Sequence, residues 1–413
     1  MYGDFRMDAG AFLVGNPAGL RFLDVACSMP LGWNGERSPA PRAASLDEVC
    51  ARLWSASFGR GPCYVPFSGG RESSMWLATA IRYARRTGHD DPIPLTLRYP
   101  GLASAKELEV QERVVAHFGL ANWECIEPDG DLDLVGSVAG ATLAQTGPLW
   151  PPNAYLMAPL IEAARGGVFV FMSGLIDFFA WWRWAPLMEV LAGHRRPNKR
   201  DLALLGKALM PTSMRVREAS RRGNPPPMPW LRPGAEREAL ALMRRRQASA
   251  PVRFDRAMVA QVTHRCFNGI AGTFSALGKA LGTEIDQPLR QPGVMESIAG
   301  FGGRRGFRRP RDLLQRVCGA LLPAELLRPR TPLDLTHVLF GEASREFAAT
   351  WSGGGLDESI VDVVALRRSW LSERPDARTA CLLQYAWLTV QVSEIGSPER
   401  ESLVSSSHNR EAP

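Results

Sequence analysis

Between residues 63 and 172, short apolar runs alternate with stretches of helical periodicity, and this alternation constrains the fold more than any other feature. Segment 63–67 is short and apolar, and Pro66, which has no N–H for a ladder, marks it as an edge strand or a strand end. Over 73–86 apolar residues recur at Trp76/Leu77, Ala80/Ile81 and Ala84, a helical stripe, and Gly88 stands where a C-cap belongs. Strands are expected again over 93–99 and 123–126, with a helix over 105–118 between them. A further helix is expected over about 153–164, and 168–172 is a continuous apolar run of the kind found in a central parallel strand. The fold class expected is therefore α/β, a parallel sheet with crossover helices. Strand signals fade beyond about residue 185, so a mainly helical C-terminal region should follow.

The flanks are less regular. Residues 11–14 and 20–23 read as two strands around a Gly-Asn-Pro-Ala-Gly turn, and Ser45 as the cap of a helix reaching about Phe58. The organisation expected is a short preface over 1–58, an α/β core over 59–190 and a basic, Pro-rich segment over 191–252. A helical C-terminal part over 253–400 and a disordered polar tail over 401–413 complete it.

Composition narrows the class. The 413 residues are 45% hydrophobic and 22% charged, with no apolar stretch near the roughly 18 residues a membrane span needs. The N-terminus lacks the pattern of a secretory signal, so a cytoplasmic location is expected. Seven cysteines stand singly, without CxxC spacing, and read as free thiols in a reducing compartment. The net charge of +7 is concentrated in arginine runs at 195–200, 221–222, 244–246 and 304–311. Such runs attract phosphates, but no nucleic-acid-binding motif accompanies them, and solvated faces explain them more simply.

The chemistry sits where the first strand meets the first long helix. In Ser68-Gly69-Gly70-Arg71-Glu72-Ser73, two glycines let the backbone approach a phosphate, and the helix that follows offers free N–H groups and a partial positive charge. Ser68, Ser73 and Ser74 add hydroxyl donors. The Gly-Lys-Ser/Thr ending of a Walker A loop is missing.

This string resembles the SGGxDS loop of the ATP pyrophosphatase superfamily, enzymes that cleave ATP to AMP and pyrophosphate. Further segments are similar to the asparagine synthetase family: 96–101 with Glu107, Gln111 and Glu112 and then His117 to Leu120; 147–153; and Ser173-Gly174-Leu175-Ile176-Asp177 after an apolar strand. The likeness runs from about 60 to 395. It implies a PP-loop fold, ATP and Mg²⁺ as cofactors, and adenylation of a small-molecule or peptide carboxylate followed by attack of an amine. By position, Ser68, Gly69, Gly70, Arg71, Glu72, Ser73, Ser74, Leu97, Ser173 and Gly174 would hold the nucleotide. Glu72 and Asp177 would hold Mg²⁺, while Arg328, Arg330 and Glu107 would act in catalysis. Asp177 reads equally as a helix N-cap, and Glu107 as part of a solvated face.

The chain departs from the family pattern at three places. Glu72 stands where the family has Asp, Phe178 where a second acid belongs, and Pro332 where a lysine stabilises the departing pyrophosphate. Arg is not a simple substitute for that lysine. Position 2 is Tyr and the preface is too short for a glutaminase domain, so ammonia or another amine is expected as nucleophile. The alternatives are a catalytically silent homologue that binds nucleotide or peptide as a partner protein, or an RNA-modifying enzyme of the same fold.

Overall fold

The computed structural model describes residues 15–33, 39–99, 105–128, 131–172, 182–193, 196–219, 227–307, 310–327 and 336–392. Its centre is a five-stranded, wholly parallel sheet in the order β3-β2-β1-β4-β5. The strands are β1 (Cys63–Pro66), β2 (Ile93–Leu97), β3 (Glu124–Ile126), β4 (Val168–Val170) and β5 (Glu284–Asp286). Tyr64 faces Ile93 on one side, and Cys63 faces Val168 on the other.

The first helices, in chain order, are α1 (Phe22–Ala26), α2 (Leu46–Trp54), α3 (Arg71–Thr87), α4 (Ala105–Phe118), α5 (Ser137–Thr146) and α6 (Ala158–Ala163). Side chains alternate along the strands, so each face of the sheet builds its own core. Cys63, Val65, Phe67, Val168 and Val170 point to the face covered by α2, α3 and α4. Leu95 and Phe169, with the partly buried Tyr64, Leu97 and Ile126, point to the face covered by α5, α6 and helix Arg265–Leu281. The chain thus winds from β1 to β2 and β3 over one face, then returns over the other to β4. Connections that reverse in this way place a crevice at the carboxyl ends of β1 and β4.

The helices start and stop where local chemistry dictates. Ser45 accepts the Glu48 N–H at the start of α2 while Glu48 accepts the Ser45 N–H, a reciprocal capping box. α2 ends at Trp54, short of the expected Phe58, and is tied to α3 where the buried Trp54 indole donates to Thr79 Oγ1 at 3.2 Å. α3 closes on Gly88 in the left-handed region, φ 74°. Pro66 is the last residue of β1, a central strand, and marks its end and not a sheet edge.

Three expectations need correction. Residues 20–23 do not form a strand, because Phe22–Ala26 is helical. Asp24 is wholly buried, accepts from the Arg21 and Leu31 N–H groups, and pairs with Arg265 at 2.5 Å, so tertiary contacts override the local pattern. The helix expected over 153–164 is split into a 3₁₀ turn, Ala154–Met157, and α6, with Pro159 entering at the start of α6 where its missing N–H is harmless. The sheet also has a strand that the pattern does not reveal, since Glu284-Ile285-Asp286 is short and charged at both ends. The strand expected over 11–14 lies outside the described residues.

From residue 185 onward the described chain is helical apart from β5 and connecting loops, as expected. Of the Pro-rich stretch, residues 227–229 are loop, anchored by buried Met228 and by Trp230, whose indole donates to Ala26 O at 2.9 Å. No helix among the described residues is long and apolar enough to cross a membrane.

Candidate functional site

The loop singled out by sequence leaves the carboxyl end of β1, beside β4, at the reversal point of the sheet. Its backbone is held from below by neighbouring strands. The Phe67 N–H donates to Leu95 O at 2.7 Å, and the Thr96 hydroxyl donates to Phe67 O at 2.6 Å. The Trp123 indole in turn donates to Thr96 Oγ1 at 2.9 Å, which links the ends of β1, β2 and β3.

Within the loop the serines fold it onto itself. Ser68 and Ser73 hydroxyls lie 3.1 Å apart, the Gly70 N–H donates to Ser68 Oγ at 3.3 Å, and Ser73 Oγ–H donates to Gly70 O at 3.1 Å. Gly69 has φ 72°, a conformation that favours glycine, and a Cβ there would stand 2.9 Å from Gln111 Cγ. Gly70 is the N-cap of the seventeen-residue α3 and supplies no side-chain cap. The helix therefore opens towards the loop with its first-turn amides uncovered by a side-chain cap, an arrangement suited to an anion. Glu72 lies in that first turn, partly buried, and Ser68 is exposed.

The other expected residues fall in different places. Glu107 is brought to the loop: its carbonyl faces Gly69, because the first turns of α4 pack there. Leu97 is the last residue of β2 and packs towards the α5/α6 face. Ser74 sits one residue beyond the loop and is wholly buried, with a hydroxyl that has no hydrogen-bond partner among the described residues. Ser173, Gly174 and Asp177, together with Phe178, follow β4 and lie outside the described residues. Arg328, Arg330 and Pro332 lie outside them as well.

Gln111 is the residue that sequence reasoning did not place in the site. It is 6% exposed, its Nε2 donates to Ser68 O at 3.2 Å, and its Oε1 is buried without a partner among the described residues. The signal was available, since residues four apart on a helix share a face and Gln111 follows Glu107 by four, whereas Glu112 follows by five. Arg98, just past β2, lies over the Trp123 ring at 5.0 Å and puts a cation at the same end of the sheet.

Several alternatives are disfavoured by geometry. The seven cysteines are unpaired, and burial pushes the Cys27, Cys63, Cys318 and Cys381 thiols up to about 12, far from a reactive thiolate. His117 lies at the end of α4, where its Nε2 is 2.7 Å from Leu321 O. No group of three or more His, Cys, Asp or Glu side chains gathers as a metal site among the described residues. Mg²⁺ needs only one or two protein carboxylates when phosphates complete its shell, so Glu72 at the loop fits in kind. A cavity of about 700 Å³ opens at the opposite, amino-terminal end of β1 and β2, lined by Phe58, Cys63, His89 and Ile93 among others. Ligands of such sheets bind at the carboxyl ends, which sets this cavity apart from the loop.

Comparison of the sequence with protein-family models and with curated proteins gives no match.

Proposed function

We propose that the chain is an ATP-dependent amide-forming enzyme of asparagine synthetase-like type, built on a PP-loop core. The observation that carries this reading is the position of the Ser68–Ser73 loop, at the carboxyl end of β1, beside β4 at the sheet reversal, and opening α3, whose N-cap Gly70 brings no side chain. A carboxylate oxygen of the substrate attacks the α-phosphorus of ATP and pyrophosphate leaves. Ammonia or another amine then attacks the acyl carbon, and AMP leaves as the amide forms.

In this reading Ser68, Gly69, Gly70, Arg71 and Ser73 wrap the phosphates, and Gln111 holds the loop through the Ser68 carbonyl. Glu72, with Asp177, would hold Mg²⁺, which supplies charge neutralisation at the phosphates. Arg328 and Arg330 would contribute positive charge towards the departing pyrophosphate. Chemistry of this kind rests on positioning and electrostatic stabilisation more than on covalent participation.

The test is pyrophosphate release from Mg-ATP over a panel of carboxylic acids and short peptides, with and without ammonium. Release with one acid, reduced at least about a hundredfold in Glu72→Gln and Asp177→Ala, is the expected result. Absence of Mg-dependent ATP binding by calorimetry would sink the proposal.

The substitutions at Glu72, Phe178 and Pro332 favour one second reading, a catalytically silent homologue that binds nucleotide or peptide. ATP binding without turnover, unchanged in a Glu72→Asp, Pro332→Lys double variant, would decide for it.

A further inference from the structure

Among the described residues eight large apolar side chains are exposed, and six of them fall between residues 191 and 214: Leu191, Leu202, Leu205, Leu209, Met210 and Met214. They come from three consecutive helices and their junctions, Ala185–Leu191, Lys199–Leu209 and Thr212–Ala219. The first two pack together, and Lys207 reaches Glu218 at 3.9 Å between the second and third. Helix Lys199–Leu209 is apolar on two adjoining faces. Leu204 and Ala208 pack into the core beside the sheet, while Leu202, 62% exposed, Leu205 and Leu209, 78% exposed, form an outward stripe at spacings of three and four. A surface helix ordinarily carries charge on its outer face. The cations here stand beside the stripe instead, with Arg196, Lys199, Arg200 and Arg217 all exposed.

We propose that this face docks an acidic amphipathic helix of a partner protein. The stripe has the spacing that packs against a second helix, and Met210 and Met214 at its end are adaptable side chains suited to a protein contact. The surrounding cations fix the sign of the partner. They also argue against a second copy of this chain, since self-pairing would bring two cationic faces within a Debye length of about 8 Å. A helix-spaced apolar stripe flanked by cations is matched by a single acidic helix better than by the flat surface of a bilayer.

The test uses the full chain and a designed amphipathic peptide of about five helical turns, with Leu on one face and Glu on the other. Fluorescence anisotropy should show binding that weakens with salt and falls at least tenfold in a Leu202→Ser, Leu209→Ser variant. Both substitutions are at exposed positions, and an unchanged thermal transition confirms that the variant is folded. A charge-reversal variant, Lys199→Glu with Arg200→Glu, should weaken binding of the Glu peptide and strengthen that of its Lys-for-Glu counterpart. Equal binding of the Glu and Lys peptides, or binding indifferent to the Leu substitutions, would overturn the proposal. So would loss of the stripe's exposure to self-association in sedimentation, or capture by phosphatidylserine vesicles without capture of the peptide.

Discussion

Gly69 is the residue on which the candidate site turns. Its positive φ and the 2.9 Å approach of Gln111 leave no room for a methyl group. Gly69→Ala should destabilise the fold by about 1 kcal/mol or more and abolish ATP binding, both measurable by denaturation and calorimetry. A second residue gives the chain a pH dependence. Burial, with Arg246 nearby, lowers His264 from 6.5 to about 4, so the folded state holds it neutral. The unfolded chain binds the extra proton between those values, so stability is complete above about pH 6.5 and declines as the pH falls towards 4. Urea titrations should show a slope of up to about 1.4 kcal/mol per pH unit in that window, removed in His264→Gln. At this scale the loop glycines and serines were legible because their chemistry is local. Gln111 could be placed on the Glu107 face of its helix by its spacing, but its hydrogen bond to Ser68, 43 positions back along the chain, could not be read locally.

Elements were legible in proportion to their length and periodicity. α3 and α4 follow their apolar stripes, and α4 has the bounds its pattern implies, 105–118. β4 reads correctly as a buried strand because all three of its residues are apolar and covered. Short elements escaped: β5 has one apolar residue between two acids, and in α1 the buried Asp24, besides accepting from the Arg21 N–H, pairs with Arg265, a partner that no window of local sequence contains. Where a helix start is written locally, its energetic weight can be tested. Ser45→Ala removes one arm of the α2 capping box and should cost about 1 kcal/mol in chemical denaturation, with the Ser45→Ala, Glu48→Ala double variant costing less than the sum of the two single ones.

For the molecule as a whole, the sheet is the unit of stability, and it draws on distant stretches of chain. β4 is paired on one side with β1 and on the other with β5, and its α5/α6 face is also covered by helix Arg265–Leu281. A fragment spanning 59–190 should therefore fail to give a cooperative thermal transition, and a folded monomeric fragment would contradict the account. Fold class was legible at this scale because alternation over 63–172 admits few arrangements, whereas the fifth strand's place in the sheet was not, since its pairing partner lies across a long helical excursion. That excursion has a consequence during biosynthesis. The chain leaves the sheet at Val170 and returns only at Glu284, so on the ribosome β4 emerges long before its outer neighbour exists. Until then an apolar strand edge stands open to other nascent chains, a mispairing hazard that follows from the order of the strands.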